Sequence, residues 1–193
     1  DKSRKKIKSD PFLIKIGDQY MYNTKSDAIR GGVSFLNIDR IGEYSTKYYA
    51  LCNLIKNSNG PVFIYTQKLL NGIKTISMML EENGMNRYVE TNKREFRNFL
   101  QDGERKTPGR SQIFAGLSYI YVDSGSGIDN SIMNEWFDTF NKQKKIKKGD
   151  PHNNIKVILG SDKIAHGINL FRMREVHIME PWHNLNKMEQ IIG

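Results

Sequence analysis

The sequence of 193 residues has only one cysteine, Cys52, and no long apolar run. A single thiol cannot form an internal disulfide or a cysteine-based zinc cluster, so a disulfide scaffold is excluded and the sequence fits a reducing compartment. No stretch approaches the roughly 20 apolar residues that span a bilayer. The sequence therefore predicts an intracellular chain with no membrane partner.

Two phosphate-binding motifs and the common zinc motifs are also absent. There is no G-x-x-x-x-G-K-[ST] and no G-x-G-x-x-G, so the chain cannot build the usual triphosphate cradle by itself. The four histidines show no H-E-x-x-H and no Cys/His zinc spacing, which predicts no metal site. His177 lies in an apolar run and Cys52 on an apolar helix face, so both are predicted to be ordinary core or edge residues.

The sequence has an excess of positive charge, with a formal net charge of +9. Residues 1–8 hold five bases and one acid, and residues 142–148 hold five lysines, which leaves 20 bases and 20 acids elsewhere. Such runs are usually solvated. They can also form patches that attract phosphates, whose binding weakens steeply with salt because each neutralised phosphate releases a counterion. Composition leaves both interpretations open.

The first 44 residues differ in pattern from the rest. Phe12, Ile14 and Ile16 alternate with other residues up to a Gly-Asp turn at 17–18, and RGGVSFLNI gives a second short extended piece. These features are typical of a hairpin. We therefore predict a hairpin-bearing lead-in segment over residues 1–44.

From residue 45 onward, helical and extended patterns alternate. Apolar runs of strand type lie at 62–65, 117–122, 155–159 and 175–179. Helical spacing of apolar residues occurs in four places: Tyr48, Leu51, Leu54 and Ile55; Ile73, Ile76, Met79 and Leu80, up to Gly84; Met133, Trp136, Phe137 and Phe140; Leu185, Met188 and Ile192. The polar segment 86–112 breaks this rhythm and is interpreted as an insertion. The pattern predicts an α/β fold, a parallel sheet with helices on both faces.

In such a sheet, ligands bind beyond the carboxyl ends of the strands, so the loops there are the candidate site. Three of these loops carry hydroxyl or glycine residues, and they lie at Thr66-Gln67, 123–127 and 160–162. The fourth loop begins Glu180-Pro181-Trp182. A small hydroxyl before a helix N-terminus suits phosphate oxygens, but the same residues are ordinary N-caps. Glu180 and Asp162 offer an acid/base pair only if the fold brings them together. Trp182 suits stacking on a base better than Trp136, which fits a buried stripe.

The last 39 residues resemble a known family. GSDKIAHGIN at 160–169 matches motif V of superfamily 2 helicases, MEPWHN at 179–184 is similar to the D-P-W-W-N of Swi/Snf proteins, and QIIG at 190–193 matches the opening of motif VI. Upstream, STKYYALCNLI, PVFIYT and WFDTFN resemble the helix opening the second RecA-like domain, motif IV, and the helix before motif V. The likeness points to the Swi/Snf-like branch and its relatives in large DNA viruses, the poxvirus-type early transcription factor ATPase and nucleoside triphosphatase.

The resemblance implies roles for individual residues. Ser161 is expected to contact a nucleic-acid phosphate, with Thr66 and Gln67 as further backbone contacts to nucleic acid. The expected nucleotide-binding residues are Gly167 and Asn169, which approach the nucleotide sugar, and Gln190, the catalytic position of motif VI, which faces the triphosphate.

The sequence departs from the family in three places, and the first is the insertion at 86–112, which has no counterpart there. The helix that ends in Phe-Asn lacks the usual arginine near its start, at 129–134, and the chain stops at Gly193, where the family continues with Arg-x-x-Arg. Those arginines stabilise charge on the transferring phosphoryl group. We therefore expect a connector at 1–44 from a missing first motor domain, then a RecA-like domain at 45–193 truncated within motif VI.

The expected function is that of a fragment of a nucleic-acid-dependent ATPase, a helicase or translocase, with half of the ATP site. The expected cofactors are ATP with Mg²⁺ in the full-length protein and none for the chain alone, which should be inactive. The expected partners are DNA or RNA, a first RecA-like domain and transcription machinery, in host cytoplasm or virion if the source is viral. The alternative is a non-enzymatic adaptor derived from a helicase fold. An unrelated phosphate-binding enzyme would need a complete site, which the sequence does not contain.

Overall fold

The computed structural model describes residues 11–88, 98–101, 111–122, 128–150, 153–161, 170–180 and 189. Its strands are β1 (Leu13–Ile16), β2 (Gln19–Tyr22), β3 (Ile29–Arg30), β4 (Val33–Ser34), β5 (Val62–Tyr65), β6 (Asn86–Arg87), β7 (Ser118–Val122), β8 (Ile155–Gly160) and β9 (Glu175–Ile178). Its helices are α1 (Ile38–Ile41), α2 (Thr46–Asn57), α3 (Thr75–Glu82) and α4 (Asn130–Lys142), and a π-helical turn, Leu69–Lys74, runs directly into α3. No helix in these ranges is long and apolar enough to cross a membrane.

Five strands form one parallel sheet in the order β6-β7-β8-β5-β9. β5 lies between β8 and β9, with Val62 opposite Val157 on one side and Glu175 on the other. The four strands predicted from apolar runs are β5, β7, β8 and β9, with bounds that agree to within one residue. Because all five strands run in the same direction, their carboxyl ends lie at one edge of the sheet. The predicted α/β fold is confirmed.

Helices cover both faces of the sheet. Successive residues of a strand point to opposite faces, and every residue of β5 is buried. Val62 and Ile64 face a core that includes residues of α2 and α3, whereas Phe63 and Tyr65 face a second core that includes residues of α4. The four apolar residues predicted to share a face of α4 are all buried: Met133, Trp136, Phe137 and Phe140.

The buried stripe of α2 differs by one position from the predicted one. Ser45 caps the helix by accepting a hydrogen bond from the backbone N–H of Tyr48. The buried residues are Leu51, Cys52 and Ile55, whereas Leu54 is 48% exposed. The prediction for Leu54 was wrong because Cys52 is the i+4 neighbour of Tyr48 and fills the stripe, which leaves Leu54 at its flank.

The lead-in segment contains two antiparallel hairpins, β1-β2 and β3-β4. Gly17 allows the first turn, since it adopts a φ of +60° that side chains other than glycine rarely tolerate. The predicted alternation is present, but Ile14 and Ile16 are 43% and 46% exposed while Leu13 and Tyr22 are buried. Which face of the hairpin is buried depends on the element that packs against it, and this element, α3, lies far along the chain.

The lead-in segment packs on the same core as α3. The hydroxyl of Tyr22 donates a 2.7 Å hydrogen bond to Oε2 of Glu82, which is buried at the end of α3. Asn83 adds two bonds, since its Oδ1 accepts from the Ile38 backbone at 2.9 Å and its Nδ2 donates to the Leu36 carbonyl at 3.1 Å. Residues 11–44 and the helical layer therefore share one packed interior.

The first residues of the segment 86–112, which was interpreted as an insertion, form β6 at the edge of the sheet. Residues 98–101 are tied to α3, where the buried Glu81 carboxylate accepts backbone bonds from Phe99 at 2.9 Å and Leu100 at 2.8 Å. Tyr119 of β7 also donates its hydroxyl to Glu81. A two-residue strand, and a short segment held by one buried acid, leave no periodic signal in the sequence.

Candidate functional site

The loops after β5, β8 and β9 begin at the same edge of the sheet. Main-chain bonds extend the pairing one residue past these strands: Thr66 donates to Gly160 at 3.1 Å, and Met179 donates to Tyr65 at 2.9 Å. Ser161 donates to the Val122 carbonyl at 3.3 Å. These bonds place residues 66, 161 and 180 on neighbouring strand ends, as the parallel sheet predicted.

Glu180 closes the loop that follows β5. Its Oε2 accepts a 2.7 Å hydrogen bond from the Thr66 hydroxyl and a 3.3 Å bond from the backbone N–H of Gln67. The same hydroxyl oxygen accepts from the backbone N–H of Lys68 at 3.3 Å. Thr66 is fully buried. The loop is therefore organised around a carboxylate that belongs to a different strand end.

Lys47 partly neutralises this carboxylate. α2 precedes β5 and runs back across the sheet, so its first turn lies at the carboxyl edge. The Lys47 ammonium donates to the carbonyl of Met179 and lies 3.9 Å from Oε1 of Glu180. Burial, and to a smaller degree the negative charge of Glu180, raise the pKa of Tyr48 on the next position of α2. Lys47 and Glu180 thus form an ion pair at the carboxyl edge of the sheet.

The side chain of Ser161 is buried at the end of β8. The residue is 3% exposed, and its Oγ has no hydrogen-bond partner among the residues that the structure describes. Buried polar atoms without a partner are uncommon in folded proteins, and each one calls for an explanation. A hydroxyl that can still donate one hydrogen bond is suited to a phosphate oxygen.

The predicted site residues fall into two groups. Thr66, Gln67 and Ser161 lie together at the carboxyl edge, and the backbone N–H groups of Thr66 and Gln67 already have protein acceptors. Several predicted residues lie outside the described part of the chain: Asp162, Gly167, Asn169, Trp182 and Gln190.

Two residues that shape the site were not predicted from the sequence. The sequence gave no indication that Lys47 belongs to the site, because a single lysine in a helical turn is common. Gly72 lies in the π-helical turn, where an added Cβ would come within 2.4 Å of Oγ1 of Thr66. A glycine directly before an apolar helix stripe was the available clue to a close approach.

Two residues assigned to ordinary structural roles have those roles. Cys52 is fully buried on α2. His177 is half-buried on β9, with Nε2 3.1 Å from Oε2 of Glu175. Neither belongs to the group around Thr66 and Glu180.

A parallel sheet covered by helices on both faces, with polar loops at its carboxyl edge, is the arrangement of a RecA-like α/β domain. The chain is 34% identical over 160 residues to a protein of Acanthamoeba polyphaga mimivirus that is provisionally named an ATP-dependent RNA helicase; the match covers 82% of this chain and 23% of that protein. It is 28% identical over 153 residues to an uncharacterized killer plasmid helicase of Kluyveromyces lactis, covering 79% of this chain and 21% of that protein.

A third relative is the termination factor NPH-I homolog of African swine fever virus, 26% identical over 163 residues, which cover 76% of this chain and 22% of that protein. The chain is thus related to the superfamily 2 helicases of large DNA viruses, which confirms the resemblance seen in its motifs. It spans less than a quarter of the length of these relatives. No family model matches the chain, and no solved structure matches it at a significant level.

Proposed function

We propose that the chain supplies the second RecA-like domain of a nucleic-acid-dependent ATPase. In this proposal it forms one wall of the ATP cleft and part of the track for nucleic acid. The observation that carries the proposal is the convergence of Thr66, Ser161 and Glu180 at the carboxyl edge of the sheet. The relatives named as helicases support the same class of protein.

Ser161 is the proposed phosphate ligand, because its buried hydroxyl has no partner among the described residues. Gln67 and Thr66 extend the track on the neighbouring strand end. Oε2 of Glu180 now accepts the hydrogen bonds from both residues. A nucleic-acid phosphate that reaches Gln67 therefore replaces a carboxylate oxygen with a phosphate oxygen, so the donors keep an acceptor throughout.

The nucleotide side of the proposal rests on residues outside the described ranges. Gly167 and Asn169 approach the sugar, and Gln190 faces the triphosphate, by the resemblance of motifs V and VI. The division into a connector at 1–44 and a motor domain at 45–193 belongs to the same proposal.

ATP with Mg²⁺ is the proposed cofactor of the full-length protein. Among the described residues, no three His, Cys, Asp or Glu side chains cluster as metal ligands, so we assign no Mg²⁺ ligand there. The 193-residue sequence contains no G-x-x-x-x-G-K-[ST] motif. We therefore assign the triphosphate cradle and the metal ligands to a first RecA-like domain, which completes the cleft.

The proposed nucleic acid is RNA or DNA. The name of the mimivirus relative refers to RNA, and the African swine fever virus relative is named as a termination factor homolog. Both names support a motor that acts on nucleic acid, with transcription machinery as the proposed partner.

The proposal is tested by titrating a fluorescent single-stranded oligonucleotide with the chain and with Ser161→Ala. We expect Ser161→Ala to weaken binding at least about tenfold, because a hydrogen bond to a charged group contributes about 1.5–3 kcal/mol. The matched control is Ser131→Ala on the exposed start of α4, which should bind like the unchanged chain. Unchanged affinity in Ser161→Ala would refute the proposed track and favour the adaptor interpretation.

A turnover assay tests the cleft. Because half of a site does not catalyse phosphoryl transfer, we expect no ATP hydrolysis above background by the chain alone. Robust hydrolysis that falls on mutation of this chain would contradict the proposal that the second half of the cleft is supplied by other residues.

A further inference from the structure

A basic pocket lies at the amino edge of the sheet, opposite the candidate site. It is a cavity of about 150 Å³. Its walls come from the residues just before β5, those just before β9 and those just after α4, and the lining includes Gly60, Gln143, Lys144, Lys145, Arg172 and Arg174. Because α4 runs from the carboxyl edge after β7 to the amino edge before β8, all three segments meet at strand beginnings.

Side-chain bonds fix two walls of this pocket. The guanidinium of Arg172 donates to the carbonyls of Gln143 and Lys144, just past the end of α4. Arg172 adopts a φ of +74°, which is unusual for a residue other than glycine. On the other wall, Nζ of Lys156 donates to the carbonyls of Ser58 at 2.6 Å and Gly60 at 2.7 Å. The backbone that lines the pocket is therefore held in place.

Arg174 is packed into the pocket wall. Its backbone N–H donates to the Pro61 carbonyl at 2.9 Å, which fixes its position beside β5. A Cβ on Gly60 would lie 2.2 Å from Cγ of Arg174. Only glycine leaves room for this side chain, so Gly60 and Arg174 form a fitted pair.

All the charged residues in the described lining of the pocket are basic. Of the described residues that line it, four are basic and none is acidic. In the described part of the chain, Lys144, Lys145 and Arg174 take part in no ion pair. The buried Oε1 of Gln143 has no hydrogen-bond partner among the same residues. Among the described residues, the charges of Lys144, Lys145 and Arg174 are therefore not neutralised by an ion pair.

A second, more open cavity of about 310 Å³ continues the pocket. It shares Lys144 with the first and adds Lys142, Thr139 and Asn153. The two cavities together form a basic strip, which we define by Lys142, Lys144, Lys145 and Arg174. The first cavity alone offers roughly ten times the 10–15 Å³ that one water molecule needs.

We propose that this basic strip binds the phosphates of a nucleic-acid backbone, as a second contact separate from the carboxyl edge. Lysine binds phosphate as a point charge without fixed geometry, which suits successive phosphates along a strip. Two joined cavities match a polymer with repeated charges better than a single carboxylate. The side chains that define the strip are charged and carry no aromatic ring, so they suit the phosphate backbone and do not read the sequence of bases.

The test compares two double variants of the chain with equal changes in charge. Lys144→Gln with Lys145→Gln removes two charges from the strip, and Lys15→Gln with Lys25→Gln removes two exposed charges from the lead-in segment. Binding of a single-stranded oligonucleotide is measured from about 50 to about 200 mM salt. We expect the strip variant to lose about tenfold in affinity at low salt, and its salt slope to fall by about 1.4.

The control variant should lose less than about twofold, and Lys142→Gln alone should lower the slope by about 0.7. Equal losses in the two double variants would overturn the inference, because net charge would then explain binding. Displacement of the oligonucleotide from the unchanged chain by polyglutamate at matched charge concentration would also overturn it, in favour of an acidic protein partner.

The strip and the carboxyl edge are separable in the same assay. If the strip variant binds weakly while Ser161→Ala binds normally, the strip stands and the proposed track at the carboxyl edge fails. If only Ser161→Ala weakens binding, the strip is refuted and the proposed function stands. If both weaken binding, their losses should multiply in the combined variant, because distant sites act independently.

Discussion

The hydroxyl of Thr66 donates a 2.7 Å hydrogen bond to Oε2 of Glu180 and so ties the carboxyl end of β5 to that of β9. The same oxygen accepts from the backbone N–H of Gln67. The Glu180 carboxylate, which accepts hydrogen bonds from a hydroxyl and from a backbone amide, occupies the position that a phosphate oxygen takes in the proposed track. In the proposed function, Glu180 therefore competes with nucleic acid for these donors.

Replacing Glu180 by alanine should raise the affinity for a single-stranded oligonucleotide. The variant frees two donors and removes one negative charge from the track, so we expect a gain of about three- to tenfold at low salt. Fluorescence anisotropy measures it. Glu135→Ala on the exposed face of α4 removes the same charge elsewhere and should change affinity much less. A loss of affinity in Glu180→Ala would mean that Glu180 supports the track.

Gly72→Ala should destabilise the loop after β5. The new Cβ would lie 2.4 Å from Oγ1 of Thr66 and 3.0 Å from Cβ of Lys68, so the chain must shift. We expect a loss of about 1–3 kcal/mol in the free energy of unfolding, measured in urea. Gly42→Ala is the control, since its Cβ meets Tyr49 at an ordinary 3.6 Å. Equal stabilities of the two variants would contradict the close approach at Gly72.

Lys156→Met should also destabilise the fold. The lysine is 7% exposed, and its ammonium is the donor to two carbonyls, those of Ser58 and Gly60. Without it the Ser58 carbonyl loses this donor, while the Gly60 carbonyl keeps its 3.1 Å bond from the Ser58 hydroxyl, and we expect a cost of about 1–3 kcal/mol in the free energy of unfolding. Lys56→Met on exposed α2 surface should change stability by less than about 0.5 kcal/mol. A neutral Lys156→Met would show that water satisfies these carbonyls equally well.

The buried thiol of Cys52 should lower the free energy of unfolding at alkaline pH. Burial raises the pKa of its thiol from 9.0 to about 12. Above pH 9 the unfolded chain therefore loses a proton that the folded chain keeps, so stability falls as pH rises towards the folded pKa. From about pH 8 to about pH 10 this contribution amounts to a loss of about 1.4 kcal/mol.

The measurement is the free energy of unfolding of the chain and of Cys52→Ala at both pH values. The variant carries no thiol, so its curve should fall less steeply, whatever constant offset the smaller side chain introduces. Parallel curves would contradict a protonated, buried thiol at Cys52.

The sheet and its helices were predictable because long elements carry a strong periodic signal. β5 is a continuous apolar run, β7 and β8 are mostly apolar, and the four apolar residues of α4 repeat at helical spacing. Short elements gave a weaker signal. β6 has two residues, and the outward face of β1 follows from the docking of Tyr22 against Glu82, a contact between residues 60 positions apart.

The sequence predicted where the candidate site lies in the sheet, but it did not predict which side chains there are joined by hydrogen bonds. A parallel sheet brings Thr66 and Ser161 to one edge whatever the strand order. The bond between Thr66 and Glu180 depends on β9 lying next to β5, and these residues are 114 positions apart. The strand order is set by packing of the whole sheet, and spacing along the chain does not show it.

The central claim is that the carboxyl edge of the sheet receives nucleic acid. Hydrogen–deuterium exchange of the chain with and without a saturating single-stranded oligonucleotide tests it most directly, because amide protection reports the contact surface. We predict slower exchange at residues 66–67 and 161 in the complex. Unchanged exchange at these positions, with the oligonucleotide demonstrably bound, would contradict the account.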